Sequence, residues 1–381
     1  MDFFSVDTLT GRVVGQLFPS KYELEDPLRQ AVGTGTLTVP LPTGADAVAR
    51  LVDQTLQRRR WVAAREGEQW LWCGPITDEP SRSGGEVTIP VADWRTWFYR
   101  TPIRPVAVTY ARRNYVKTGA SAREQTAIIT DLMSLALDPL YVGNPLMVVD
   151  TAPITGVTRE LTALMLDRSI AEYMDDVTGR GGFDWNVYCT QTDATHMLLH
   201  AAACWPERAY RSEPVKIEWQ IGKGGNVSEY SWPGGQGAST RVWATGEGEP
   251  PDQVFTFDEY PEIADGADVA WESLIGPLDG VKTTATAYDH AHAAIQRSQG
   301  YNRTVEFTLA AEQLPLTACA TGDRARVVFS DGWVDVDIPA ARIISRTISG
   351  GRGQPTQQRL SIDLSDAVYP DDDPGEDVPD D

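Results

Sequence analysis

A chain of 381 residues exceeds what one hydrophobic core usually serves, so at least two domains are expected. Its 41% hydrophobic and 23% charged residues are ordinary for a globular protein, and no run of about 18 apolar residues offers a membrane span. The formal net charge of −21 argues against stable nucleic-acid binding, because affinity for a phosphate backbone needs clustered Lys and Arg that displace counterions.

In chain order, MDFFSVDTLTGR shows no basic stretch followed by an apolar one, so no secretory signal is expected and the protein stays in the cytosol or leaves by a route that needs none. Residues 22–25 alternate and Asp26-Pro27 turns the chain. GTGTLTV, residues 33–39, reads as a strand ending at Pro40. Val48, Leu51, Val52 and Leu56 predict an amphipathic helix over 45–57. A hairpin follows, 60–65 and 69–76 about the turn Glu66-Gly67-Glu68, then a strand over 86–91 and the aromatic cluster Trp94, Trp97, Phe98 and Tyr99. Several short strands around one helix predict a small β-barrel or sandwich for residues 1–104.

Residues 105–206 carry the helices and form a helical and β-hairpin connector. The stripe Ile128, Leu132, Leu135 predicts a helix over 122–137, ended before Asp138-Pro139. A second helix, beginning near Thr158, carries Leu166, Ile170, Tyr173, Met174 and Val177 on one face. Gly179, Gly181 and Gly182 are expected to end it in a left-handed C-cap. Phe183, Trp185 and Val187 alternate, and 183–189 pairs with 196–204 as a hairpin.

Residues 207–365 return to β, with strands over 215–220, 239–244, 304–310, 324–329, 333–338, 343–348 and 359–364 and a helical insertion over 284–297. Asp331-Gly332 is a strong hairpin turn. RRRWVAAREGEQWLWCGPI and RARVVFSDGWVDVDIPAARI share the pattern strand, glycine turn, strand, which predicts like topology in the two β blocks. The tail 366–381 combines proline with self-repelling carboxylates and is expected to be disordered.

None of the chemistry-bearing residue types converges. His196 and His200 form HxxxH, a zinc-chelating spacing on a helix. The stretch faces FDWNVYC across a turn, however, and on a strand residues four apart stand about 13 Å from each other, too far for one ion. His290, His292 and Asp289 read as solvated helix residues. Asp175 and Asp176 are adjacent near a helix end, a poor acid/base pair because neighbouring positions do not face each other, and they read as a surface or a subunit contact. Arg58-Arg59-Arg60 is the one dense basic run, flanked by Asp53 and Glu66. IGKGGN and WPGGQG lack the phosphate-loop order. The four cysteines (Cys73, Cys189, Cys204, Cys319) form no CxxC pair and read as buried free thiols. Twelve tryptophans offer either sugar-stacking platforms or core and interface. No catalytic, cofactor-binding or metal residue is assigned, and no enzyme activity is expected.

The segments YELEDP, GTGTLTVP, WLWCGPI and VTIPVADW, the helix followed by GRGGFDWNVY, and the late TGDRARVVF and RIISRTIS resemble the tail hub proteins of long-tailed, siphovirus-type phages, especially of actinobacterial hosts. The resemblance covers most of residues 1–365. It implies a mainly β fold with α: two tube-like β-barrel domains, 1–104 and 207–365, joined by the connector 105–206. It further implies a homotrimeric, baseplate-hub-like adaptor that imitates the six-fold tail ring with three chains. Such a hub joins the distal tail ring to a three-fold tip, meets the tape measure protein and other minor tail or tip proteins, and surrounds the DNA channel. It would be found in the virion tail tip after assembly in the host cytoplasm. The short acidic tail departs from hubs that continue into a fibre or lysin domain. Two rival readings are a receptor- or carbohydrate-binding minor tail protein and a tail-associated cell-wall hydrolase. A hub of this net charge is expected to line its lumen with Asp, Glu and neutral polar groups rather than Lys or Arg.

Overall fold

Strand Arg60–Glu66 is buried along most of its length, five successive residues from Arg60 to Ala64 being covered. A strand apolar on both faces needs a packing layer on each side, and that requirement organises the computed structural model. The structure describes residues 1–28, 32–104, 114–117, 123–159, 161–164, 166–181, 183–205, 208, 215–222, 227, 229–231, 239–248, 252–259, 270, 272–278, 281–298, 304–310, 314–330 and 335–363. Strand takes 49% of the described residues against 17% for helix, so the fold is mainly β with α, as expected.

By contacts the chain divides into two compact units, the first made of Met1–Glu229 with Phe307–Ser361 and the second containing Tyr230–Glu306. At the centre of the first unit is a four-stranded antiparallel sheet in the order Val13–Leu17, Asp2–Asp7, Arg60–Glu66, Gln69–Pro75. On one face of it, Val6, Trp61 and Ala63 enter a core with Trp94, Phe98, Ile128, Leu132, Tyr173, Met174 and Trp185. Those partners come from the helices Arg95–Tyr99, Gln125–Ala136 and Ile170–Gly181 and from the hairpin Asp184–Gln191 with Met197–Cys204. On the other face, Phe3, Val62, Ala64 and Trp72 pack with Tyr22, Leu24, Leu37, Ile89 and Ile348.

These last residues belong to the largest sheet. There Thr304–Ala310, Gln354–Asp363, Asp335–Gly351, Lys21–Pro27, Thr34–Pro40, Glu86–Ala92 and Ser81–Ser83 are successive neighbours. Asp335–Gly351 pairs at one end with Arg324–Ser330 and at the other with Lys21–Pro27. The first and last β blocks thus meet in one sheet, with Ile348 opposite Leu24 and Arg346 opposite Asp26. Among the described residues the strands form open, stacked sheets rather than closed barrels.

The second unit, described by itself, holds a three-stranded sheet, Phe255–Glu259, Arg241–Thr245, Glu272–Ile275, against which helix Thr284–Ser298 sets Ala287 and Ala291 beside Ala244 and Val281.

Most predicted elements are found. The helix expected from about Thr158 is the main correction. Residues Thr158–Arg159 and Thr162–Leu164 are strands, and the helix spans Ile170–Gly181. Its start is fixed by a reciprocal cap, in which the Ser169 backbone N–H donates to Glu172 at 2.7 Å while the Glu172 N–H donates to the Ser169 hydroxyl at 3.3 Å. Leu166 falls before the cap, 65% exposed and at φ +57°, so it is not part of the helical stripe. Gly179 and Gly181 are helical rather than capping, and Gly182 lies outside the described residues, as does Asp331-Gly332.

Candidate functional site

The three sequence blocks are joined by buried charge. Asp184, at the first position of strand Asp184–Gln191, is fully buried and accepts from Arg342 Nη2 at 2.5 Å and from the Arg208 backbone N–H at 2.6 Å. The Arg208 side chain continues the chain of contacts, its Nη2 donating to both Asp26 oxygens at 3.0 and 2.7 Å. Thr321 Oγ1 donates to the Asp26 carbonyl at 2.7 Å. First block, connector and last block are therefore tied through five side chains. A buried pair is weak evidence of net stability, but loss of one partner strands a charge in a low dielectric. A parallel clamp holds the edge of the first block. Asp93 Oδ2 accepts from the Gly33 N–H at 2.6 Å and from Arg95 Nη2 at 2.7 Å, and Arg95 Nη1 reaches the Leu28 carbonyl at 3.0 Å.

The joined sheet presents one polar face. Register sets Glu23 opposite Thr36 and Ser349, Glu25 opposite Thr347, and Lys21 opposite Thr38. All seven are exposed or half-exposed, whereas Tyr22, Leu24, Leu37 and Ile348 point into the core. The result is a surface of hydroxyls and carboxylates with one lysine, carried by strands from both β blocks.

The residues singled out from the sequence separate into structural roles. His200 lies on strand Met197–Cys204, while His196 sits just before it, exposed, with Nδ1 near Asp193 at 3.1 Å. They hold separate partners among the described residues. His200 bonds Asp150 through Nδ1 at 2.9 Å and Thr190 Oγ1 through Nε2 at 2.9 Å, beneath the Tyr188 ring at 4.9 Å. Tyr188 donates to the other Asp150 oxygen at 2.7 Å. This carboxylate–imidazole–hydroxyl chain is satisfied throughout and clamps Asp150 to the hairpin.

Asp175 and Asp176 part company. Asp175 is half-buried and accepts from Trp185 Nε1 at 2.9 Å and from the Tyr99 hydroxyl, and burial raises its pKa. Within the chain it holds the Tyr99–Trp185 aromatic pair, so it is not a simple surface residue. Asp176 bonds Arg168 at 2.8 Å on the surface. In the second unit His292 pairs with Asp258 at 2.8 Å and stacks on Tyr288, so it is more than a solvated residue. Arg60 is buried between Asp7 and Asp53 at 2.5 and 2.8 Å, which gives the basic run a structural use. Trp61, Trp72, Trp94, Trp185 and Trp219 are buried, so five of the twelve tryptophans serve the cores; Trp205 is 37% exposed. The segments GKGGN past Gly222 and WPGGQG lie outside the described residues. Among the described residues no three His, Cys, Asp or Glu side chains are placed to hold a metal, and no helix is long and apolar enough to cross a membrane.

No protein-family model and no curated protein matches the sequence. In fold the chain is similar to the 43 kDa tail protein of prophage MuSo2 from Shewanella oneidensis, at 15% identity and a TM-score of 0.60 over 97% of this chain and 100% of that one. It is similar to the tail protein from Neisseria meningitidis MC58, at 11% identity and a TM-score of 0.57 over 96% of this chain and 99% of that one. A chain of the lidded Francisella PdpA–VgrG complex gives 10% identity and a TM-score of 0.53 over 97% of this chain but 54% of its own length. This chain therefore has, over almost its whole length, a fold that phage tail proteins adopt.

Proposed function

We propose that the protein is a structural component of a phage tail, a homotrimeric hub that surrounds the channel for tape measure and DNA. The observation that carries this is the end-to-end likeness in fold to two tail proteins. The joined sheet supports it. In this reading the blocks 1–104 and 207–365 are the two tube-forming parts of each chain, 105–206 is the connector, and the face bearing Glu23, Glu25, Thr36 and Thr347 is the channel wall. Three chains side by side then offer six such parts to a six-fold distal ring on one side and a three-fold tip on the other. The protein resides in the virion tail tip after assembly in the host cytoplasm, and it has no catalytic role and no cofactor. That the tail is of siphovirus type and its host an actinobacterium rests on the sequence resemblance alone. The burial of five tryptophans in the cores supports the structural reading over the carbohydrate-binding alternative.

The test is the assembly state of the purified chain and of isolated virions. Light scattering is expected to give three times the monomer mass, and electron microscopy a three-fold ring at the tail tip with a central hole. A stable monomer in solution together with antibody labelling on the tail shaft or capsid would refute the reading.

A further inference from the structure

All four cysteines of the chain are free thiols, and all four line one cavity of about 530 Å³ in the first unit. They reach it from three blocks of sequence. Cys73 comes from strand Gln69–Pro75, Cys189 and Cys204 from the hairpin, and Cys319 from the last β block. Two of them belong together. Cys73 and Cys189 share the core beside the four-stranded sheet, each 6% exposed, and their strands pack against one another. The Cys73 thiol meets that of Cys189, and this contact, followed by burial, holds its pKa well above the usual thiol value. The other two thiols turn to oxygen instead. Cys204 Sγ donates to the Ala202 carbonyl at 3.9 Å and Cys319 Sγ to Gln358 Oε1 at 3.9 Å. Burial pushes Cys204 up to about 11. Within the hairpin Cys189 stands opposite Leu199, so Cys204, five residues further along, is about 17 Å away and cannot pair with it.

Two side chains already in contact need only rotate about their own bonds to bring the sulfurs to the ~2.0 Å of a disulfide. We propose that Cys73 and Cys189 are a redox-modification site, a dithiol that closes to a disulfide and locks strand Gln69–Pro75 of the first block to strand Asp184–Gln191 of the connector. The oxidant is a small-molecule disulfide admitted by the cavity. One protein thiol, as thiolate, attacks a sulfur of the reagent and expels one reagent thiolate. The second protein sulfur then attacks the mixed disulfide and expels the other. The two cysteines lose two electrons, the reagent gains them, and the two thiol protons leave on the released reagent thiols. A staple between residues so far apart in sequence restrains the unfolded chain through a long loop. The chemistry stands apart from the tail-hub reading. Only its setting rests on that reading, a particle built in a reducing cytosol and released into an oxidising medium.

The full chain tests it. It is treated with 2-hydroxyethyl disulfide at about pH 8, where thiolate is more abundant, then alkylated without reduction and weighed intact. The treated protein is expected to carry two alkyl groups fewer than the untreated one. Proteolysis should release a fragment joining the peptides of Cys73 and Cys189 that separates on addition of reductant. Tm should rise by about 5 °C. Cys73→Ser and Cys189→Ser should each abolish both the cross-link and the rise. Four alkylated thiols in the treated native protein, a cross-link through Cys204 or Cys319, closure only after unfolding in guanidinium, or a cross-link that leaves Tm unchanged would each overturn the proposal. None of these measurements reads the assembly state, so failure here leaves the hub reading standing.

Discussion

At the scale of single residues the protein places charge where the sequence alone suggests surface. Asp184 and Arg342 are 0% and 2% exposed as side chains, and the Arg208 N–H leans on the same carboxylate. Asp184→Ala should therefore cost about 3–5 kcal/mol in denaturant unfolding, because it strands Arg342 in the interior. A double variant that replaces both by apolar residues should recover much of that loss. Two aspartates make opposite pH predictions. Asp193 bonds the Thr195 N–H and hydroxyl, which hold its pKa down at about 2. A depressed pKa means that its contribution is present above the unfolded value near ~3.9 and is lost as pH falls toward about 2. The carboxyl carbon resonance of Asp193 should titrate with that low midpoint. Asp175 is the reverse: burial raises its pKa, so the folded state binds its proton more tightly than the unfolded chain does. Its contribution is greatest below the unfolded value and is lost as pH rises through the folded one. Asp175→Asn keeps an acceptor for the Trp185 N–H and turns an amide N–H toward the Tyr99 hydroxyl oxygen, without the charge. Its stability relative to wild type should shift in the variant's favour as pH climbs above about 3.9.

At the scale of elements, local chemistry set the ends of the structure as much as periodicity set its middle. The Ser169–Glu172 box decides where helix Ile170–Gly181 begins, and Ser169→Ala should cost about 1 kcal/mol with loss of amide protection in the first turn. One glycine that packing requires is Gly74, in strand Gln69–Pro75. A Cβ there would sit 1.8 Å from the Ala92 carbonyl oxygen, where the strand passes close beneath the edge of the large sheet. Gly74→Ala should cost about 1–3 kcal/mol, read as a lowered Tm, because backbone rather than a flexible side chain blocks the space. The Gly179 and Gly181 pair, conspicuous in the sequence, is helical and has no such constraint from a left-handed cap.

At the scale of the whole molecule the proposed hub makes an electrostatic prediction. Each chain carries −21, and the wall assigned to the channel displays Glu23 and Glu25 among threonines and serines, with Lys21 at one end of its strand. A tube that passes DNA should not grip it, since each phosphate neutralised by a basic group adds salt-dependent affinity. Screening confines the effect to about 8 Å at physiological salt, so residues on this face decide it. The assembled protein should show no binding of duplex DNA at ~150 mM salt. Glu23→Lys combined with Thr36→Lys should introduce binding that weakens steeply as salt rises. Binding by the wild-type assembly would contradict the channel assignment of this face.

How much was legible depended on the range of the interaction. The alternation of Tyr22, Leu24, Leu37, Val39, Val87 and Ile89, the stripe of helix Gln125–Ala136 and the hairpin with His200 on a strand were readable, because period and turn chemistry act over a few residues. Strands Asp2–Asp7 and Val13–Leu17 were missed. Their burial comes from pairing with Arg60–Glu66 and with each other rather than from a clean alternation of their own. The joining of the first and last blocks through Leu24 and Ile348 had no sequence signal, because nothing local in either strand names a partner more than 300 residues away. The same holds for the site chemistry. Asp26, Asp93, Asp184 and Arg208 are unremarkable as letters in a sequence, and only the tertiary fold decides which arginine each aspartate takes. By itself the sequence determined the periodic elements and a composition suited to a scaffold. Layer order, the shared sheet and the balance of buried charge required the chain to be folded, since they depend on distance in space and on the dielectric that packing creates.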